Sequence, residues 1–251
     1  MIITKTRQQI EKMYSAGRYL AELLNLLKQN TVPDITASKL NEIAERWLAQ
    51  RKLYSPFKGY RGYPSSICVS VNEQVVHGIP RQTLIREGDI VSIDAGVVFD
   101  GYVADAAITV PAGNVSEQKQ KLMAVTEGSL YRGISQMVEG NRLYDITHAI
   151  QSYTESYGYS LVREFCGHGV GRKMHEDPQV PNCGHRPNTG PRLRCGWVLA
   201  VEPMVNMGSA EVRVESDGWT VVTSDGEPSA HFEHTVAITP NGPLILTTLL
   251  E

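Results

Sequence analysis

The stretch SIDAGVVFDGYVADAAITV, residues 92–110, constrains the fold more than any other part of the chain. Two apolar runs flank Asp100-Gly101, and Asp-Gly in that setting is a strong signal for a two-residue hairpin turn. With the turn there, Phe99 pairs with Tyr102, Val98 with Val103, Val97 with Ala104 and Gly96 with Asp105. Side chains alternate along a strand, so Asp94 and Asp105 become diagonal neighbours on one face. Asp100 belongs to the turn itself. A buried, unpaired carboxylate is very costly. The two aspartates therefore either share a proton or hold a divalent cation.

Further donors stand in similar settings. EFCGHGVGRKMHEDP carries His168 and His175 in a glycine-rich segment. LAVEPMV places Glu202 in an apolar run before a proline, and HFEHTVAIT places Glu233 at the start of another. Singly, each has an ordinary explanation: a solvent-facing glutamate, or a hydrogen-bonded core histidine. Together, Asp94, Asp105, His168, Glu202 and Glu233 supply four carboxylates and one imidazole. That set suits two divalent ions roughly 3.5–4 Å apart, bridged by carboxylates. A Cys2His2 zinc site drawn from Cys166, His168, Cys183 and His185 has the wrong spacing. A serine hydrolase would want a G-x-S-x-G elbow, which the sequence lacks. The donors do not select one metal: an imidazole with carboxylates accepts Mn, Fe, Co, Zn or Mg.

Residues 6–29, 37–50, 117–138 and 143–156 have helical periodicity. Thr6 and Gln9 match the capping-box spacing, and Ser116 is a cap candidate. Strand-like segments run from about Ile67 to Val110 after the first helix pair. LVREFC, WVLAVEPMV, GWTVVTS, HFEHTVAIT and LILTT follow the second. The order helix, helix, strands thus occurs twice, in pseudo-halves of about 1–112 and 113–251. This predicts a single α+β domain over 1–251, with helices on one face of an antiparallel sheet. The net charge of −3 carries no basic footprint for nucleic acid. No run is long enough for a membrane span, and the polar N-terminus is a poor signal peptide. Four cysteines in 251 residues make no dense disulfide framework. A cytoplasmic, thiol-reducing setting is expected, and a monomer, since no heptad array is present.

The motifs GYRGYPSSICVSVNEQVVHGIP, DIVSIDAGVVFDGYVADAAITV, CGHGVGRKMHEDPQV, VEPMVN, DGWTVVT and FEHTVAIT resemble those of type I methionine aminopeptidases, in the pita-bread metallopeptidase family M24. The resemblance covers nearly the whole chain. It implies a curved antiparallel sheet covered by two pairs of helices with an internal pseudo-twofold repeat. It implies that Asp94 chelates one metal, that Asp105 and Glu233 bridge two, and that His168 and Glu202 each complete one ion's shell. His77 would contact substrate near the scissile amide. His175 would stabilise the oxyanion, and Glu202 would also serve as acid and base. Tyr60, Tyr63, Cys68 and Trp219 would line the pocket for the first side chain.

The implied activity is hydrolysis of the N-terminal methionine from peptides and nascent proteins, with a small second residue preferred. A hydroxide bridging two divalent metals (Co, Mn, Fe or Zn) would attack. The implied partners are peptide and nascent-protein N-termini, with transient ribosome association, and neither direct nucleic acid nor membrane. Phe57, Met174, the stretch RCGWVLAVEP and the loop 181–196 depart from the usual pattern. An Xaa-Pro peptidase of the same fold would carry a large additional N-terminal domain. A type II enzyme would carry a long insertion, whereas 26 residues separate His175 from Glu202. Relatives that only bind have lost the ligands, which are intact in this chain.

Overall fold

Thr6 and Ser116 begin the two longest helices, as their positions predict. In α1 (Arg7–Asn30) the Gln9 N–H donates to the Thr6 hydroxyl and the Thr6 N–H donates to the Gln9 side chain, closing a capping box. Thr36 caps α2 (Ala37–Gln50) and Ser116 caps α3 (Glu117–Ile134) in the same N3 fashion. The computed structural model describes residues 1–248; residues 249–251, at the end of the expected domain, lie outside the described residues. The third helix stops before the expected 138. The backbone tightens there into turns, with Gln136 N–H donating to Gly133 and Met137 N–H to Ile134. The fourth helix, α4, spans Leu143–Ser156.

The strands are β1 (Ile67–Val71), β2 (Gln74–Val76), β3 (Ile90–Phe99) and β4 (Tyr102–Pro111) between the helix pairs. After α4 come β5 (Ser160–Leu161), β6 (Gly167–Gly169), β7 (Glu176–Val180), β8 (Val198–Val201) and β9 (Met204–Asn206). The chain ends with β10 (Val212–Val214), β11 (Val221–Thr223), β12 (Ser229–His231), β13 (Glu233–Thr239) and β14 (Gly242–Ile245). The β3–β4 register is the expected one, from Phe99 opposite Tyr102 to Gly96 opposite Asp105. Asp100 and Gly101 both have positive φ, 48° and 74°, as a type I′ turn requires.

Other strands are shorter than the sequence suggests. LVREFC pairs only at Leu161, GWTVVTS only over Val221–Thr223, and LILTT only at its first two residues. WVLAVEPMV is broken into β8 and β9 at Glu202-Pro203, where proline has no N–H to give a ladder.

The main sheet runs β1-β3-β4-β13-β8-β6-β7, with β14 also on β13, and all its pairs are antiparallel. Within this sheet the halves of the chain meet at β4–β13, through two residue pairs: Glu233 opposite Ala107 and His234 opposite Ala106. Thr235 stitches this seam. Its hydroxyl accepts from the Asp105 N–H at 3.0 Å and donates to the Asp105 carbonyl at 2.7 Å.

Helices cover one face. Ile93, Ala95, Val97, Ala104 and Ala106 pack in one cluster with Leu20, Leu24 and Leu27 of α1 and Leu40 of α2. Leu199, Val201, Val236 and Ile238 pack with Leu122 and Leu130 of α3 and Ile146 and Ile150 of α4. Burying each large aliphatic side chain contributes roughly 1.5–3 kcal/mol. Gly17 lets α1 approach the backbone carbonyl of Leu246 so closely that a Cβ would overlap it. The opposite face of the curled sheet is left free for polar groups.

Candidate metal centre and active site

Pairing register carries the acidic residues onto that free face. Asp94 lies opposite Ala107, which lies opposite Glu233. Asp105 is two residues from Ala107, so it shares their side. Thr235, two residues from Glu233, lies opposite Ala200, and Ala200 lies opposite His168. Glu202 is two residues beyond Ala200. Alternation therefore directs four donors to one side of neighbouring strands, and Glu202, just past the end of β8, joins them.

The donors converge. Single ligand atoms of Asp105, His168 and Glu233, all buried, lie within 4.8 Å of one another. His168 Nε2 is 3.8 Å from Asp105 Oδ2 and 3.6 Å from Glu202 Oε1. These are not ion pairs, because burial holds the His168 imidazole neutral, with its pKa lowered to about 4. Its Nδ1 lies 3.0 Å from the Gly169 carbonyl and donates there, which turns the Nε2 lone pair toward the carboxylates. Desolvation pushes the Asp105 carboxyl up to about 7. Burial, then mutual repulsion, pushes Asp94, Glu202 and Glu233 well above the usual carboxylate range.

Among the described residues no Lys or Arg pairs with this group. Asp94 Oδ1, Asp105 Oδ1 and Glu233 Oε1 are buried without a hydrogen-bond partner. Orphaned oxygens, a neutral imidazole aimed at them and four carboxylates without a cation are what a divalent metal site requires. The donor set fits such ions.

The other expected residues line the same cavity, of about 370 Å³. Cys68 lies opposite Asp94 on β1, so the register places it beside the acids. Burial raises its thiol pKa well above the usual value, which makes it a wall rather than a nucleophile. Tyr63 and Trp219 meet edge to face at 5.1 Å. Trp219 is fixed by Asp217, whose carboxylate accepts from the Trp219 and Thr220 N–H groups at 2.9 Å. Tyr60 and His175 are joined at Nδ1 by a 3.0 Å hydrogen bond, and the His175 ring lies 4.2 Å from that of His168. His77 has φ of 60°, a left-handed conformation costing about 1–3 kcal/mol for a residue with a side chain. Its ring is held between Phe165 and Trp219, at 5.5 and 6.4 Å. Phe57 and Met174 complete the apolar wall.

Three comparisons place this geometry among known proteins. The model of metallopeptidase family M24 matches residues 11–240. A methionine aminopeptidase of Clostridium perfringens is 53% identical, across 99% of this chain and 100% of that one. The chain belongs to the type I methionine aminopeptidases of family M24. The crystal structure of a methionine aminopeptidase from Thermotoga maritima, 46% identical, superposes with a TM-score of 0.96 over 99% of this chain and 100% of that one. A prolidase from Pyrococcus furiosus, at 20% identity and a TM-score of 0.79, matches 99% of this chain and 66% of its own. That likeness shows the pita-bread fold alone, which M24 peptidases of different specificity share.

Two residues of this M24 site escape the sequence motifs. Phe165 lies in the stretch expected to be strand; the turn after Leu161 instead brings it against His77. His231 is buried with neither ring nitrogen hydrogen-bonded, and its Nε2 is 3.9 Å from Glu202 Oε2. A polar residue two positions before Glu233, hence on the same face, was the available signal.

Proposed function

We propose that this chain removes the N-terminal methionine from peptides and nascent proteins, and that Asp94, Asp105, His168, Glu202 and Glu233 hold two divalent metal ions for the purpose. The observation that carries the proposal is the convergence of five donors on one strand face beside an aromatic pocket. The ions, when bound, polarise the scissile carbonyl and supply hydroxide near neutral pH. The rest falls to the side chains. The flexible, polarizable thioether of the substrate fits against Tyr63, Trp219 and Cys68. Tyr60 donates to His175 Nδ1, which leaves Nε2–H to donate to the carbonyl oxygen as it gains charge. Burial and the Arg61 charge lower the His175 pKa, so the ring works as a neutral donor. Burial lowers His77 to about 4, which keeps it neutral too, near the scissile amide. Glu202 carries the proton toward the leaving amine.

The proposal includes a small second residue, as the resemblance implies. It also includes one catalytic domain over 1–251 in two pseudo-halves, and a monomer. The setting is the cytoplasm, where ribosomes transiently met supply the N-termini. No described helix is long and apolar enough to cross a membrane.

The test is methionine release from a Met-Gly peptide by metal-stripped protein, with Mn, Fe, Co and Zn restored singly. Release should need metal and fail in Asp94→Asn. Cleavage of an Xaa-Pro peptide alone would keep the fold and overturn the substrate. Silence with every metal, in folded protein, would reassign the chain to a binding role.

A further inference from the structure

Beyond the metal centre the cavity widens into a cleft of about 770 Å³ that reaches the surface. Tyr60, Arg61, Cys166, His168 and His175 line both spaces, so the cleft begins at the carboxylates. Its charges are unbalanced. Glu176 is fully engaged: Lys5 Nζ donates to Oε2 at 2.7 Å in a buried pair, and the Arg172 and Lys173 N–H groups donate to Oε1 at 3.0 and 3.3 Å. The Met1 ammonium takes Asp177 at 2.6 Å. Asp100, beside the Gly101 that Arg172 approaches, is taken by Lys12 at 2.6 Å.

Arg61, Arg172 and Lys173 remain, all exposed and none paired with a carboxylate among the described residues. The guanidinium of Arg61 lies over the Tyr60 ring at 5.4 Å and that of Arg172 over Tyr102 at 4.6 Å. Stacking keeps both charges against the cleft wall and leaves their N–H edges available. The left-handed backbone of Arg61, φ 49° between Gly59 and Gly62, fixes the turn that presents it.

We propose that this cleft is the subsite for substrate residues beyond the second, and that it selects acidic side chains there. The proposal rests on the methionine-release reading: with the first side chain in the aromatic pocket, the rest of the peptide must leave past His175. Three uncompensated cations attract Asp and Glu and repel Lys and Arg. Exposed charges act weakly and are screened by salt, so the preference is modest and resides in KM.

The experiment compares kcat/KM of the metal-loaded full chain on Met-Gly-Glu-Glu, Met-Gly-Gln-Gln and Met-Gly-Lys-Lys, at low and high salt. The acidic peptide should exceed the basic one by roughly threefold to tenfold at low salt, and the ratio should collapse at high salt. In a protein carrying both R172E and K173E the ratio should invert. A ratio of one at low salt overturns the proposal, as does a ratio that persists in the double variant. A flat series with competitive inhibition by single-stranded RNA overturns it in favour of a nucleic-acid contact. Failure to release methionine from Met-Gly-Gln-Gln is a different result, since it removes the reaction itself.

Discussion

β3 presents Ile93, Ala95 and Val97 to one side and Asp94, Gly96 and Val98 to the other. The first side packs in the apolar cluster with α1 and α2 and is fully buried. The second carries, at mid-strand, a carboxyl whose Oδ1 has no partner and which lines the cavity. The same ten residues thus build stability on one face and hold an unpartnered carboxyl on the other. The lesson is a separation of tasks by alternation: substitutions one residue apart should fail in different ways.

The largest effects should come from neighbours. Asp94→Asn is expected to cut methionine release by more than about 100-fold, since losing even an outer partner of a metal site costs 10–100-fold. Its metal-free thermal midpoint should hold or rise, because a repelling carboxyl is gone. Ile93→Ala should do the reverse, losing about 2–5 kcal/mol in denaturant unfolding while the folded fraction still binds metal. Equal stability losses in the two variants would break the comparison.

Gly96→Ala comes next. A Cβ there would stand 2.6 Å from Pro56 Cγ and 3.0 Å from Phe57 Cε1. A cost of about 1–3 kcal/mol is expected, with KM raised as the Phe57 wall shifts. An unchanged melting curve with unchanged KM would contradict the packing of that face.

The pH response sharpens the contrast. Without metal, the four raised carboxyls contribute stability that is complete below about pH 4 and lost as pH rises through about 7 for Asp105, and higher for Asp94, Glu202 and Glu233. The histidines oppose this. Burial lowers His77, His168 and His234 to about 4 and His231 to about 3, so their contribution grows from there up to about pH 6.5 and is then constant. Above about pH 6.5 the histidine contribution is constant and the carboxyl effect leads, with the raised Cys68 thiol acting in the same direction only as pH nears about 8.5. Metal-free protein should therefore melt lower at about pH 8.5 than at 6.5, and saturating metal should abolish the difference by holding the carboxylates ionised. A metal-free midpoint that climbs across this interval would show the acids are already paired. At the small end, Glu11→Ala, which removes an exposed partner of Arg7, should alter stability by less than about 0.5 kcal/mol.

The same contrast explains what could be read in advance. The hairpin register was legible because Asp100-Gly101 admits one turn geometry and alternation fixes the rest. The carboxylates that converge on that face are legible because Glu202 and Glu233 interrupt apolar runs. LVREFC looks strand-like because a short apolar-rich run reads alike whether it pairs or bends away; Phe165 leaves the sheet to pack on His77, a tertiary contact with no local signature. His231 was passed over for a related reason, as the histidine of HFEH looks like the start of a strand. Arg61 and Lys173 could not be singled out, since exposed cations have no pattern until their neighbours' acids are seen to be engaged elsewhere.

The β4–β13 seam, where the two halves of the chain join in the main sheet, is two residue pairs wide. Asp94 and Asp105 stand on one side of it and His168, Glu202 and Glu233 on the other. An ion gripped from both sides would be a rivet as well as a reagent. Stripping it should loosen the plates along that narrow overlap, so that amide exchange quickens first at Asp105, whose N–H is held by Thr235 across that gap.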